Sequence, residues 1–176
     1  FKLYLLEGEH TLADILLDKE AAELGEDTLK NRYLTFPILD ELYGIEIKYV
    51  TQIVGIQRIT VMPEMPYFMK GIINLRGQIV PVIDMRVRFG KPEKEYDDRT
   101  CVIIINFDNL RLGLITDSVS EVMTIMDSNI EPLPNFNVTK GYIKGIGKVA
   151  NNVVLLVNCE KLLSEEEKDV IISEDK

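Results

Sequence analysis

The chain repeats itself. The stretch from Tyr33, YLTFPILDELYGIEIKYVTQIV, lines up without gaps against VIIINFDNLRLGLITDSVSEVM, from Val102. Gly44 falls on Gly113, Val50 on Val119, Gln52 on Glu121 and Ile53 on Val122. Further on, Gly71-Ile72-Ile73 resembles Gly141-Tyr142-Ile143. PVIDMRVRF, from Pro81, resembles LLVNCEKLL, from Leu155, with Asp84 over Asn158 as helix cap. A fold for this chain must hold two like units. Each reads as about five short strands ended by one short helix, and short strands with frequent turns favour barrels over a parallel sheet. The predicted architecture is all-β, two related five-stranded β-barrels packed together. The first barrel is expected over about 32–90 and the second over about 99–158, intertwined. Residues 1–31 read as an N-terminal extension with a helix over 12–24, and 160–176 as a C-terminal helix and tail.

The densest stretch is Met69 to Gly90, MKGIINLRGQIVPVIDMRVRFG. Ile72 and Ile73 are β-branched and read as strand. Asn74-Leu75-Arg76-Gly77 is turn chemistry. Gln78 to Ile83 reads as a second strand, apolar on both faces and so covered on both sides. Pro81 offers no backbone donor, which predicts an edge strand or a bulge there. Asp84 reads as the N-cap of a short helix that Gly90 stops. The hairpin is core-making everywhere except its tip, where Arg76 stands.

The inventory excludes most chemistry. The 176 residues are 46% hydrophobic and 28% charged, so the chain can build a core. No apolar run approaches the roughly 20 residues of a spanning helix. A net charge of −9 argues against a nucleic-acid partner, and a barrel that binds single strands would need a basic groove with stacking aromatics. There is one histidine, His10, so no nucleophile–base pair can be assembled and the chain does not read as an enzyme. Two separated cysteines, Cys101 and Cys159, do not supply a zinc site, and they read as small buried thiols of a reducing cytosol. No metal or cofactor is expected.

The segments YGIEIKYVTQIVG, PEMPYFMKGIINLRGQIVPVIDMRVRFG and RLGLITDSVSEVM, with GYIKGIGK and LLVNCEKLL behind them, resemble the CheW family of chemotaxis coupling proteins. The matched region runs from Arg32 to about Leu163, and the combination NLRG-x3-PV-x-D at this spacing is highly specific. The resemblance implies two five-stranded barrels and no catalysis. It implies a cytoplasmic adaptor, recruited to membrane-associated receptor arrays. There it would bridge chemoreceptor signalling tips to the regulatory domain of the histidine kinase CheA. It places a receptor groove between the barrels at Val50, Gly71, Arg76, Cys101 and Val122. It places the kinase-facing surface on the first barrel, with Ile53, Ile56 and Val61 as candidates. The kinase itself and the CheV-type couplers carry the same domain, but no ATP-binding motif and no receiver pattern accompanies it here. One departure stands out: Gln52 occupies a position where well-studied family members carry a glutamate that pairs with the NLRG arginine. Either that pairing is weaker here or another acid such as Glu121 substitutes.

Overall fold

The structure, a computed structural model, describes residues 29–134 and 141–173. The helix expected over 12–24 lies outside the described residues. Eleven strands lie among the described residues: β1 Arg32–Ile38, β2 Glu41–Glu46, β3 Val50–Gly55, β4 Met69–Leu75, β5 Gln78–Asp84, β6 Cys101–Phe107, β7 Leu110–Thr116, β8 Val122–Thr124, β9 Ile130–Glu131, β10 Ile143–Val149 and β11 Asn152–Val157. Two α-helices accompany them among the described residues, α1 Met85–Arg88 and α2 Glu165–Ser173. The mainly-β expectation holds.

The strands form two sheets. The first has the order β8-β1-β2-β11-β10-β9 and the second β3-β6-β7-β5-β4. In the first, β8 pairs with β1 and β9 with β10, so one bent stretch, 122–131, joins both edges. In the second, the chain beyond β3 crosses to β4, where Thr60 and Ile72 exchange both backbone hydrogen bonds at 2.8 and 2.9 Å. Closing a sheet on itself removes the exposed edges that invite aggregation.

The boundary expected near residues 90–99 does not divide the sheets. β1 and β2 pair with strands of the second half, and β6 and β7 with strands of the first. The two halves meet where strands run parallel, β2 beside β11 and β5 beside β7. The repeated glycines sit at these two joints. A Cβ on Gly44 would lie 2.9 Å from the Val154 side chain, and one on Gly113 would lie 2.7 Å from Val82.

Burial follows the strand period. Tyr33, Ile125, Val154 and Leu156 fill the interior of the first sheet. Ile73, Val80, Val82, Val102, Ile104 and Ile115 fill the second. A larger cluster takes the opposite faces, including Leu34, Phe36, Ile38, Ile103, Ile105 and Leu112, and binds the two sheets together. Thus β6 is apolar at successive positions because both its faces are covered.

Several local expectations change. Pro81 lies in an interior strand, not at an edge. It faces Ile72, whose own N–H and C=O go to Thr60, so β4 asks no donor of proline, and on the other side the ladder to β7 begins only at Val82. The bulge in that ladder falls at Met69/Gly71 instead. Asp84 does cap α1, accepting from the N–H groups of Arg86 and Val87 at 2.9 and 3.3 Å. Its counterpart Asn158 makes no side-chain cap and opens only a 3-10 turn, Cys159–Lys161. The final helix starts at Glu165 behind a capping box, in which Ser164 N–H donates to Glu167 (2.7 Å) and Glu167 N–H to Ser164 Oγ (3.2 Å).

Candidate interaction site

The tip between β4 and β5 is tighter than the expected four-residue turn. Asn74 and Leu75 belong to β4 and Leu75 faces Gln78, so only Arg76 and Gly77 turn the chain. Their φ angles are 49° and 83°, the double positive that a two-residue primed hairpin turn requires. For a non-glycine residue this region costs about 1 kcal/mol. The Asn74 side chain offsets part of that by accepting from Gly77 N–H at 2.8 Å. Arg76 is exposed at the tip. Beside it, Gln78 accepts a hydrogen bond from the Arg111 guanidinium on β7.

The ladders place the other expected groove residues. β5 and β7 run parallel, so the Arg76-Gly77 turn shares an end of the sheet with the Asp108-Asn109 turn before β7. Val50 lies toward the same end, opposite Ile105, and is half-buried. Cys101 faces Gly55 at the other end and is 4% exposed. Burial raises its thiol pKa, against a smaller opposing effect of the Val119 backbone. Cys159 is also buried, its thiol pushed up to about 12 by burial, and both cysteines are free. Gly71 is buried with φ 138°, and a Cβ there would stand 2.1 Å from the Thr60 carbonyl oxygen. Its first role is therefore to let the second sheet close. Val122 is 37% exposed and belongs to the first sheet, opposite Leu34. The neighbouring Glu121 carbonyl accepts from Thr35 N–H and Oγ1 at 2.9 and 2.7 Å. The structure thus brings Val50 and the Arg76 turn to one end, and puts Cys101 and Gly71 beneath the surface.

The kinase-side candidates separate. Ile53 is 3% exposed and belongs to the shared core, so it presents no surface. This corrects its place among the contact candidates: the inward face of β3 and an exposed apolar face read alike in sequence. Ile56 is half-buried against the second interior, and Val61 stands 79% exposed. In the connector beyond Val61, Tyr67 is exposed, while Met69, where β4 begins, is buried.

A cleft of about 540 Å³ opens between the first sheet and α1, lined among others by Glu41, Tyr43, Arg88, Phe89, Tyr142 and Leu155. None of the five expected groove residues lines it. Tyr43 and Phe89 of its wall stack at 4.9 Å, and the buried Phe36 stacks on Tyr43 behind them at 5.7 Å. Tyr43 and Lys91 both bond Glu41 and hold its carboxyl below the usual range. Among the described residues no cluster of His, Cys, Asp or Glu could hold a metal, and no helix is long and apolar enough to cross a membrane.

The pattern described as a CheW-like domain matches residues 32–167. The chain belongs to the CheW family. It is 39% identical over 152 residues to the chemotaxis protein CheW of Klebsiella aerogenes, covering 85% of this chain and 92% of that one. To the chemotaxis protein CheW of Bacillus subtilis it is 32% identical over 137 residues, 77% and 88% of the two chains. The crystal structure of the scaffolding protein TtCheW from Thermoanaerobacter tengcongensis superposes with a TM-score of 0.73 at 34% identity. That match covers 78% of this CheW-family chain and 94% of TtCheW.

Sequence reasoning did not reach Thr60, Gln78 or Arg111. Thr60 carries no signal that it closes a sheet. Arg111 bonds a side chain 33 positions away, a relation that only the β5–β7 pairing creates.

Proposed function

We propose that this chain is a non-enzymatic chemotaxis adaptor that couples chemoreceptor cytoplasmic tips to the regulatory domain of a CheA-type histidine kinase. It works in the cytoplasm, recruited to membrane-associated arrays. The observation that carries the reading is the exposed Arg76 on a rigid two-residue turn inside the matched NLRG-x3-PV-x-D stretch. A guanidinium fixed in this way presents a planar fork of donors to a partner's carboxylates or carbonyls. In the receptor groove Arg76, Val50 and Val122 make the contacts, while Gly71 and Cys101 shape the floor. The kinase regulatory domain takes the surface around Val61 and Ile56. Residues 32–163 form the working domain, and α2 packs on it.

The test is a reconstituted mixture of receptor tips, kinase and this protein, read as receptor-dependent kinase activity. Arg76→Ala should weaken receptor-tip binding about thirty-fold, as loss of a contact arginine worth roughly 2 kcal/mol does. Its stability should stay within about 0.5 kcal/mol of the parent. Full coupling by Arg76→Ala would reduce the residue to a solvated turn and remove the main support for the reading.

A further inference from the structure

Arg111 is placed as no charged surface residue needs to be. It lies on β7 between the buried Leu110 and Leu112, and it is only partly exposed. Its terminal guanidinium nitrogen donates to the Gln78 side chain, yet its Nε is buried without a hydrogen-bond partner. A buried donor left unpaired opposes folding, and an apolar side chain of the same shape would relieve that penalty. Arg88 carries an unpaired buried Nε too, so what sets Arg111 apart is the side chain it holds. What it holds is Gln78, the first residue to leave the Arg76-Gly77 turn.

We propose that Arg111 is a positioning residue for Arg76. The turn is held from two sides, by Asn74 on the incoming strand and by Arg111 through Gln78 on the outgoing one. With both holds the hairpin tip has one direction, and Arg76 leaves it along one line toward the partner. Without Arg111 the tip keeps its turn but samples a wider set of directions, and each binding event must then order it again. This inference rests on the reading of Arg76 as a receptor contact.

The experiment measures receptor-tip binding and melting temperature for Arg111→Met, Gln78→Leu and Arg111→Lys, each alone and with Arg76→Ala. Methionine keeps the apolar stem of Arg111 and removes the polar head. Gln78→Leu breaks the same contact without changing charge, which separates positioning from a loss of long-range attraction. Arg111→Met and Gln78→Leu should each bind receptor tips about tenfold more weakly, a loss in the range of side chains coupled through contact. Arg111→Met should melt at the parent temperature or above, and Arg111→Lys should recover part of the binding. In the Arg76→Ala background neither Arg111→Met nor Gln78→Leu should cost anything further. Normal binding by Arg111→Met, beside weak binding by Arg76→Ala, would overturn the inference and leave the functional reading standing. So would full additivity with Arg76→Ala, or a sharp fall in melting temperature. Normal binding by Arg76→Ala itself would instead overturn the functional reading.

Discussion

Arg88 meets Glu167 with two hydrogen bonds, 3.1 and 2.7 Å, in a fork-to-fork pair that joins α1 to α2. Its guanidinium also lies 3.9 Å from the centre of the Phe68 ring and 4.7 Å from that of Tyr142. One side chain thus gathers the β4 approach, the β10 approach and the C-terminal helix.

Arg88→Ala removes the pair and both ring contacts and leaves Glu167 partly buried without its cation. The expected loss is about 3 kcal/mol, since breaking a buried pair costs more than the pair contributes. Urea unfolding measures it. Hydrogen exchange should show α2 losing protection first, because Arg88 and Ser164 supply the polar bonds to Glu167.

Acid should loosen the same joint. Burial pushes the Glu167 carboxyl up, but the bonds from Arg88 and Ser164 outweigh it and hold the carboxyl below its ordinary 4.5. A lowered folded-state value means that the stabilisation is complete above the unfolded value and disappears as pH falls through the folded one. The urea midpoint should be level above about pH 5 and drop as pH falls below 4.5. Glu167→Gln should start lower and fall less steeply over that window. An identical slope for the variant would show that the acid sensitivity lies elsewhere, for instance at Glu41, whose value is lowered by Tyr43 and Lys91.

Two glycines of the same hairpin should respond differently to alanine. At Gly71 the new Cβ would meet the Thr60 carbonyl oxygen at 2.1 Å, backbone against backbone. The Thr60–Ile72 bridge would open, and the loss should exceed about 2 kcal/mol. At Gly77 nothing lies within 4 Å, and only the positive φ resists. Gly77→Ala should cost about 1 kcal/mol. Chemical denaturation of the two variants side by side decides it.

Val61 and Ile53 should separate binding from folding. Val61→Asp places a carboxylate where the side chain is already 79% exposed, so the melting temperature should hold while affinity for the kinase regulatory domain falls. Ile53→Asp buries a charge in the shared core and should unfold the protein. Unchanged kinase binding by Val61→Asp would move the kinase-facing surface away from this connector.

Much of this was legible in the repeat. The Gly44–Gly113 correspondence marked two equivalent joints, and Asp84 before Met85 marked a capped helix. The Arg76 tip was legible because glycine after arginine between β-branched runs leaves little but a turn. What was hidden depends on contacts between distant strands. Pairing partners are chosen by which apolar faces meet in space, so the exchange of β1-β2 and β6-β7 between sheets leaves no local trace. Pro81 misled because its tolerance comes from its two neighbours: Ile72 turns its polar groups toward Thr60, and the ladder to β7 begins only at Val82. Ile53 misled because the period-2 pattern says which residues share a face but not which face is covered.

The exchange of strands also sets when the protein can fold as it emerges from the ribosome. β2 finds its parallel neighbour only when β11 exists, since Leu42 pairs with Val154. The first sheet must wait for nearly the whole chain, with Tyr33 uncovered until Ile125, Val154 and Leu156 arrive. The second sheet needs nothing beyond β7 and can assemble earlier. Long-range pairing of this kind slows folding and prolongs exposure of sticky strands. Nascent chains stopped after Thr116 should therefore hold a half-built molecule, one sheet closed and the other two strands still searching, and it is there that a chaperone would find its client.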